Sequence, residues 1–341
     1  MSIKDWSGGI ITKNPVVPAG PYQDGAASGV WTLDQAANYT KQGIWPIAGN
    51  SFPQRALFFG GSFGTGGNTF IDTVVISTTG NSTSFGSLAS STAQTASLGS
   101  DTRAVTAGGI GGTTNVIEYT TFAATGSMVD FGDLAANNQS ASALSNSTRG
   151  LINGGEEGSS TNRIQYITIA STGNTADFGD LDAALQLHGA SASPTRGVIA
   201  GGLTAPAVDT IQYVTIATTG NTTDFGNLLA ATYNLAGVSS STRIAFGGTQ
   251  SFTDVIQYVT TATTGNSIDF GNLTVGRGSI ASGSSSIRGV FAGGKIPSGA
   301  YSNVIDYITI AATGNATDFG DLATARGYQN QSGCSNSHGG L

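Results

Sequence analysis

One phrase occurs six times along this chain, and the repetition constrains the fold more than any other feature. The phrase is clearest in IQYITIASTGNTADFGDL (164–181), IQYVTIATTGNTTDFGNL (211–228) and IDYITIAATGNATDFGDL (305–322). A catalytic site is normally encoded once, whereas a phrase that returns at a fixed period encodes a repeated structural unit. The period of about 47 residues therefore predicts a propeller or a solenoid array.

Spacing within the repeat is nearly constant when the Tyr of the IxY motif is taken as its marker. A Phe follows the marker by twelve residues in every copy, as from Tyr119 to Phe131. In five copies an arginine follows the marker by thirty residues, as from Tyr119 to Arg149. The first copy is degenerate, with Thr73 at the marker and Ser84 where later copies have Asp. Almost all variation in length lies in one segment, just after a Gly-Gly pair.

Each copy contains the signals of four short strands. RGVIAGG (196–202) is apolar, and IQYVTIA (211–217) is β-branched and aromatic. TTDFGNL (222–228) is the return strand, and a weak strand of small residues follows, such as YNLAGVSS (233–240). Four antiparallel strands in each copy are what one propeller blade requires.

The TTGN segment between the second and third of these strands predicts a tight hairpin. Gly220-Asn221 suits a two-residue type II′ turn, because glycine provides the positive φ at the first central position. A hairpin inside every copy disfavours the alternative, a solenoid of parallel strands. Blades around an axis also leave few exposed sheet edges. We therefore expect an all-β fold, a six-bladed β-propeller with a short N-terminal extension that contains one helix.

The order Gly-Gly, Tyr213, Phe225 and Arg243, with a Leu between the last two, resembles kelch repeats. Phe-Gly stands where kelch repeats usually have Trp. The resemblance covers roughly residues 51–341 and implies a kelch-like β-propeller. The copies more specifically resemble repeat proteins of tailed bacteriophages, notably those of marine cyanobacteria, as does SGVWTLDQAANYTKQGIWP (28–46). That resemblance implies a virion structural or tail-fibre-like protein.

The two ends of the repeat region predict how the ring closes. The region begins at PQRALFFGG (53–61), which corresponds to a second strand of a kelch blade. SGCSNSHG (332–339) aligns with SGSSSIRG (282–289), a first strand, and this alignment places His338 in the arginine position. We expect the C-terminal segment to complete the blade that begins at Arg55. A truncated seventh blade is the alternative.

Residues 1–50 precede the propeller region 51–341 and form a predicted extension. WTLDQAANYTKQG (31–43) predicts a helix with a capping box between Thr32 and Gln35. So short a helix is unstable alone and must dock on the propeller, a sister chain or a virion partner. The extension is either a packed lid or an attachment arm to other virion proteins. Its candidate attachment residues are the tryptophans Trp6, Trp31 and Trp45.

Two charged residues recur once per copy, and we interpret both as structural. Opposite charges that repeat together can pair within or between blades through charge-assisted hydrogen bonds. On this interpretation Arg196→Ala costs stability rather than binding. The repeated residues are Arg55, Arg103, Arg149, Arg196, Arg243 and Arg288, with Asp130, Asp177, Asp224, Asp269 and Asp318.

The segment of variable length is the best candidate for recognition. Repeat geometry places all six versions on one face of the ring, and loops on a rigid scaffold commonly carry binding residues. Sequence drift in tolerant loops is the alternative. The candidate ligand-binding residues are Asn68, Glu156, Glu157, Asn162, Gln250, Phe252, Lys295 and Tyr301.

Composition argues against several classes of function. The net charge of −7 and the scattered Lys and Arg disfavour nucleic-acid binding. A single Cys rules out a disulfide framework, and no apolar run is long enough to span a membrane. His188 and His338, the only histidines, lie far apart, so we expect no metal, no cofactor and no catalytic residues.

These observations favour a non-enzymatic virion protein, present in multiple copies on the particle surface. Its loops would bind a host-surface glycan or protein. A carbohydrate-binding lectin is one alternative. A hydrolase of surface polysaccharide is another, and it would need two suitably placed carboxylates.

Overall fold

A computed structural model describes residues 32, 34–35, 53–63, 66–111, 115–327 and 332–341. The chain divides into two units, Met1–Pro53 and Gln54–Leu341, and every strand of the described part lies in the second unit. These strands form six antiparallel sheets of four strands each. The sheets are the six blades of a β-propeller, so the fold class predicted from the repeat count is confirmed.

Each blade has an inner strand, a second strand, a third strand and an outer strand, in that spatial order. In the following lists blade 1 has its inner strand last, and the other blades follow chain order. Blades 1 to 3 consist of β1 (Arg55–Phe59), β2 (Asn68–Val75), β3 (Thr83–Thr92) and β24 (Gly333–Ser335); β4 (Ala96–Gly99), β5 (Arg103–Ala107), β6 (Val116–Thr121) and β7 (Val129–Asp133); and β8 (Ser142–Ser145), β9 (Arg149–Asn153), β10 (Arg163–Thr168) and β11 (Ala176–Asp180). Blades 4 to 6 consist of β12 (Gly189–Ala192), β13 (Arg196–Ala200), β14 (Thr210–Thr215) and β15 (Thr223–Asn227); β16 (Ala236–Ser239), β17 (Arg243–Gly247), β18 (Val255–Thr260) and β19 (Ile268–Asn272); and β20 (Ala281–Ser284), β21 (Arg288–Ala292), β22 (Val304–Thr309) and β23 (Thr317–Asp321).

The six inner strands surround the axis of the ring. Each contacts the inner strands of its two neighbours, so that β4, β8, β12, β16, β20 and β24 form a closed cycle. They consist mainly of Gly, Ala and Ser and are almost entirely buried, because six strands that converge on one axis leave no room for large side chains. A cavity of about 40 Å³ lies between them.

Ring closure follows the alignment of the C-terminal segment with the inner strands. β24 pairs with β1 in antiparallel register, with Leu57 opposite Cys334. The main-chain N–H of Arg55 donates to Oδ1 of Asn336 at 2.8 Å, which fixes the end of the pairing. The first blade therefore joins both ends of the propeller region without a covalent bond.

The fixed spacing between Tyr and Phe reflects packing within a blade. Across the third and outer strands the two rings meet edge to face, as in Tyr213 and Phe225, whose centroids are 5.9 Å apart. The same arrangement occurs in blades 2, 3, 5 and 6, at 5.7–6.1 Å. Edge-to-face pairs stabilise a fold by about 0.5–1.5 kcal/mol beyond the area they bury.

The predicted type II′ hairpin is wrong. Pairing between the third and outer strands of blade 4 ends at Tyr213 opposite Thr223. The chain turns at Thr215, whose carbonyl accepts the N–H of Thr218 at 3.2 Å. Gly220 has a φ of 157°, far from the value of a type II′ turn. Its N–H donates to the carbonyl of Phe178 in blade 3 at 2.7 Å. The TTGN segment therefore docks on the neighbouring blade.

This docking explains the glycine of the Phe-Gly motif. A Cβ on Gly179 would lie 2.4 Å from the carbonyl oxygen of Gly220, so only glycine permits the approach. The side-chain oxygen of Asn221 then accepts the N–H of Asp180 at 3.0 Å. The glycine N–H to phenylalanine carbonyl bond recurs at all six blade junctions, at 2.7–3.0 Å.

The N-terminal unit is described at only four positions, residues 32, 34, 35 and 53. The main-chain N–H of Thr32 donates to Oε1 of Gln35 at 3.0 Å, and that of Gln35 donates to Oγ1 of Thr32 at 3.2 Å. These are the two reciprocal bonds of the predicted capping box. The rest of the helix predicted over 31–43 lies outside the described residues, as do Trp6, Trp31 and Trp45.

Candidate binding surface

The antiparallel order of the strands gives the ring two distinct faces. All six connections from second to third strand lie at one end of the blades, which we call the loop face. The connections from each outer strand to the next inner strand lie at the same end. Each second strand begins with its repeated arginine at the opposite end, the arginine face, where the TTGN segments also lie. The variable segments are therefore on one face, as predicted.

The repeated arginines hold adjacent blades together. The guanidinium of Arg196 lies 4.7 Å from the ring centre of Tyr213 in its own blade. Its Nη1 donates to the carbonyls of Thr261 and Ala262 in the next blade, at 2.9 and 3.0 Å. Arg103, Arg149, Arg243 and Arg288 make the same stack, at 4.6–4.8 Å, and also donate to carbonyls of the next blade.

The suggested pairing of these arginines with the repeated aspartates does not occur among the residues that the structure describes. Asp130, Asp177, Asp224, Asp269 and Asp318 are all exposed. Each precedes the buried Phe of an outer strand, and adjacent residues of a strand point to opposite sides. The aspartates therefore face solvent, on edges that charged side chains protect from pairing with other sheets.

A buried polar position in the third strands was missed by the sequence analysis. It is the x of the IxY motif, and its side chain links neighbouring blades. Oε1 of Gln212 accepts the hydroxyl of Thr222 at 2.5 Å and the N–H of Asp182 in blade 3 at 3.0 Å. A polar residue flanked by apolar ones in a buried strand was the available signal. The six residues are Asp72, Glu118, Gln165, Gln212, Gln257 and Asp306.

Where this position is Asp, the preceding blade contributes an arginine. Nη1 of Arg277 lies 2.7 Å from Oδ2 of Asp306, and Nη2 of Arg326 lies 2.8 Å from Oδ2 of Asp72. Burial raises the pKa of Asp72, against the opposing effect of Arg326. Burial also raises the pKa of Glu118, which has no such cation, and Asp130 adds to the shift.

Paired glycines hold the base of each variable segment. In blade 4, Gly201 and Gly202 have φ values of 63° and 115°, which favour glycine. The N–H of Gly202 donates to the carbonyl of Thr232 at 2.9 Å, in the connection to the next blade. The following residue, Leu203, bridges Gln186 on the other side. The loops thus emerge from a base that is fixed on both sides.

Three of the predicted binding residues are fully or half buried and make polar side-chain contacts within the protein. Asn68 is buried in β2, and its amide donates to the carbonyls of Gly60 and Gly61 at 3.0 and 2.7 Å. Glu156 is half-buried and accepts a hydrogen bond from the side chain of a neighbouring Gln at 3.0 Å. Glu157 is half-buried and lies 3.6 Å from Arg163.

The other five predicted residues lie in the loops of blades 3, 5 and 6. Asn162 and Gln250 are exposed, and Oε1 of Gln250 accepts a hydrogen bond from the amide of Asn234 at 2.6 Å. Phe252 is half-buried with a φ of 56°, and Lys295 forms a β-bridge with Tyr301 across their loop. The eight residues therefore belong to four separate loops. The structure brings together only those that share a loop.

Two aromatic side chains on the loop face were missed. Phe63 and Phe70 are 52% and 44% exposed, and their rings stack at 6.2 Å. The guanidinium of Arg326 lies 5.8 Å from the ring centre of Phe70. Two phenylalanines on either side of a glycine-rich segment were the signal for them. Exposed aromatic pairs of this kind are typical of binding surfaces.

The geometry of His338 and His188 does not suit a general base. Nδ1 of His338 accepts the N–H of Gly340 at 3.1 Å, so its proton sits on Nε2, 3.0 Å from the carbonyl of Gly99. Nε2 therefore cannot take a proton from Ser145, 3.3 Å away. Burial lowers the pKa of His188 to about 3 and keeps that ring neutral.

Neither a metal site nor a membrane span is visible in the described part of the chain. Across residues 53–63, 66–111, 115–327 and 332–341, no three side chains among His, Cys, Asp and Glu are grouped as metal ligands would be. No described helix has the length and apolar character needed to cross a bilayer. No known protein-family model matches the sequence, and no curated protein is similar to it.

Proposed function

We propose that this chain is a non-enzymatic, kelch-like structural protein of a phage virion, of the tail-fibre or decoration type. Its loop face binds a host-surface or partner molecule. Apart from the exposed aspartates, the repeated polar side chains connect one blade to the next. The residues that differ between copies are concentrated in the six loops, so these loops are the part of the propeller that is free to recognise a ligand.

The stacked pair Phe63 and Phe70 carries this proposal. Both rings are exposed on the loop face, beside the buried Arg326, while the other described phenylalanine and tyrosine side chains are buried or half-buried. Exposing two aromatic rings is unfavourable in water unless they are covered by a partner. Their flat faces suit the apolar face of a sugar ring or an apolar protein surface.

The virion assignment rests on the resemblance of the repeats and of residues 28–46 to tailed-phage proteins. In such a particle the chain is present in several copies, and residues 1–50 attach it to other virion proteins. Repetition then multiplies weak individual contacts into strong overall binding. The kelch-like subtype is supported by the order of Gly-Gly, Tyr, Phe and Arg in each copy.

The test compares two variants of the full chain. Phe63→Ser combined with Phe70→Ser removes the exposed pair, and we expect about a tenfold or greater loss of binding to host cells or isolated host glycans. Ile287→Ser is the matched control, because Ile287 is 54% exposed on the arginine face. Binding that survives the double substitution, or is lost equally in the control, would refute the role of the loop face.

A carbohydrate-binding lectin is a second candidate, and the same aromatic pair favours it. A glycan array distinguishes the two, since a lectin binds defined sugars as a free protein. Electron cryomicroscopy of a particle that contains the chain tests the virion assignment independently. Finding the chain outside the particle would contradict that assignment without affecting the loop face.

A further inference from the structure

Five blades share a three-part packing arrangement on the arginine face. An arginine covers one face of a tyrosine ring, and that ring meets a phenylalanine ring edge to face. In blade 4 these groups are Arg196, Tyr213 and Phe225, with spacings of 4.7 Å and 5.9 Å. The guanidinium also donates to two main-chain carbonyls of the next blade. The tyrosine ring and the guanidinium donors therefore both have partners within the protein.

Blade 1 keeps two of the three parts. Arg55 and Phe85 are present, but Thr73 stands in the tyrosine position. The Thr73 hydroxyl donates to the main-chain carbonyl of Ala56 at 3.1 Å and does not fill the missing space. Phe122 of the next blade and Phe85 pack in one buried hydrophobic cluster, and an opening remains beside Arg55 and Thr73.

The guanidinium of Arg55 lacks the contacts of its five counterparts. It lies 6.0 Å from the ring centre of Phe85, farther than the other arginines lie from their tyrosines. Nε is buried without a hydrogen-bond partner, and no described residue accepts a hydrogen bond from the guanidinium. A buried donor without an acceptor costs about 1–3 kcal/mol in general, so an acceptor supplied by a ligand would be favoured.

The missing tyrosine leaves a cavity of about 400 Å³ that opens on the arginine face. This volume is sufficient for a small molecule, because ligand pockets begin at about 300 Å³. Arg55 shares the lining of this cavity with residues that carry hydroxyl and amide groups. The lining includes Arg55, Thr73, Thr79, Asn81, Ser84 and Thr125.

We propose that this cavity binds a small aromatic acid. The aromatic ring lies beside Thr73, in the tyrosine position, with Arg55 over one of its faces. The carboxylate accepts hydrogen bonds from the Arg55 guanidinium, as main-chain carbonyls do for the other arginines. The chain carries a net charge of −7, so attraction of an anion depends on this local cation and not on the overall field.

Three probe molecules test the proposal on the full-length chain by calorimetry or ligand-observed NMR. 4-Hydroxyphenylacetate has the tyrosine ring and a carboxylate, and we expect saturable binding of one molecule per chain. Cyclohexylacetate keeps the carboxylate without an aromatic face, and 4-methylphenol keeps the ring without the carboxylate. We expect each of these to bind about tenfold more weakly, because each lacks one of the two interactions.

Variants locate the site and separate it from general stability. Thr73→Tyr rebuilds the arrangement of the other five blades, so it should fold, melt at a higher temperature and lose binding. Arg55→Ala should weaken binding at least about tenfold. Arg196→Ala is the matched control, since it removes an equivalent arginine from a filled blade and should leave affinity unchanged.

Several outcomes would overturn the proposal. One is the absence of saturable binding of 4-hydroxyphenylacetate up to about 10 mM, the weakest affinity of practical meaning for so small a ligand. Equal binding of cyclohexylacetate would show that the ring is not recognised. Undiminished binding to Thr73→Tyr would place any ligand elsewhere. None of these results bears on the loop face, which lies at the opposite end of the blades.

Discussion

Removal of one inter-blade arginine tests how the propeller ring is held together. In Arg196→Ala the protein loses the stack on Tyr213 at 4.7 Å and two hydrogen bonds to main-chain carbonyls, at 2.9 and 3.0 Å. A cation over an aromatic ring contributes about 0.5–2 kcal/mol. A hydrogen bond from a charged donor contributes about 1.5–3 kcal/mol when buried, and less at a half-buried position.

We expect Arg196→Ala to lower the free energy of unfolding by about 2–3 kcal/mol. For a unit of this size the entropy of unfolding is about 0.6 kcal/mol per kelvin, so Tm should fall by about 3–5 °C. Thermal and urea denaturation followed by circular dichroism measure both quantities. Arg196→Lys keeps the charge without the planar guanidinium and should give an intermediate loss.

Arg55 provides a matched control within the same chain. Arg55→Ala should lower Tm by less than about 1 °C, because Arg55 has neither the tyrosine nor the carbonyl acceptors of its counterparts. Equal losses in the two variants would mean that the contacts seen at Arg196 do not stabilise the fold. An unchanged Tm in Arg196→Ala would refute the same reasoning directly.

Two further predictions concern other blade junctions. Because burial raises the folded-state pKa of Glu118, its ionised form is disfavoured; Glu118→Gln should therefore stabilise the protein by about 1 kcal/mol at neutral pH, as measured by urea denaturation. The extra stability of Glu118→Gln should appear as the pH rises through the folded-state pKa and vanish below the usual value of 4.5. Gln212→Glu should instead lower the stability over the same rise in pH. A stability difference that does not depend on pH would contradict the assignment. Gly179→Ala places a Cβ 2.4 Å from the carbonyl oxygen of Gly220 at a φ of 148°, and we expect it to lower the stability by about 2 kcal/mol. A fully stable Gly179→Ala would show that the two blades can move apart without loss, and Gly158→Ala, in an open loop at a φ of 86°, controls for backbone strain alone.

The amino-acid sequence by itself determined the architecture. Six copies at one period predicted six blades, and the alignment of 332–339 with 282–289 predicted how the ring closes. The twelve-residue step from Tyr to Phe predicted a repeated pair, which the structure shows as an edge-to-face contact. The sequence alone predicted these features because strand alternation and the repeat period are local properties, and every copy of the repeat shows them.

Contacts between blades were decided by the tertiary structure. The sequence suggested that Arg196 pairs with a repeated Asp, but its acceptors are the carbonyls of Thr261 and Ala262. Gly220 was assigned to a tight turn, but it docks on Phe178. Both predictions failed for the same reason: the true partners are main-chain atoms, which every residue carries, so no sequence letter marks them.

The cavity beside Arg55 and the exposure of Phe63 were also decided by the tertiary structure. The substitution of Thr73 for Tyr was visible in the sequence, but a smaller side chain can be absorbed by its neighbours or can leave a cavity. Only the packing of the blade around Arg55 shows that a cavity remains. In the same way Asn68 and Phe63 occur in one variable segment, and the fold buries the first and exposes the second. Burial depends on how separate blades meet, and a repeat read one copy at a time does not contain that information.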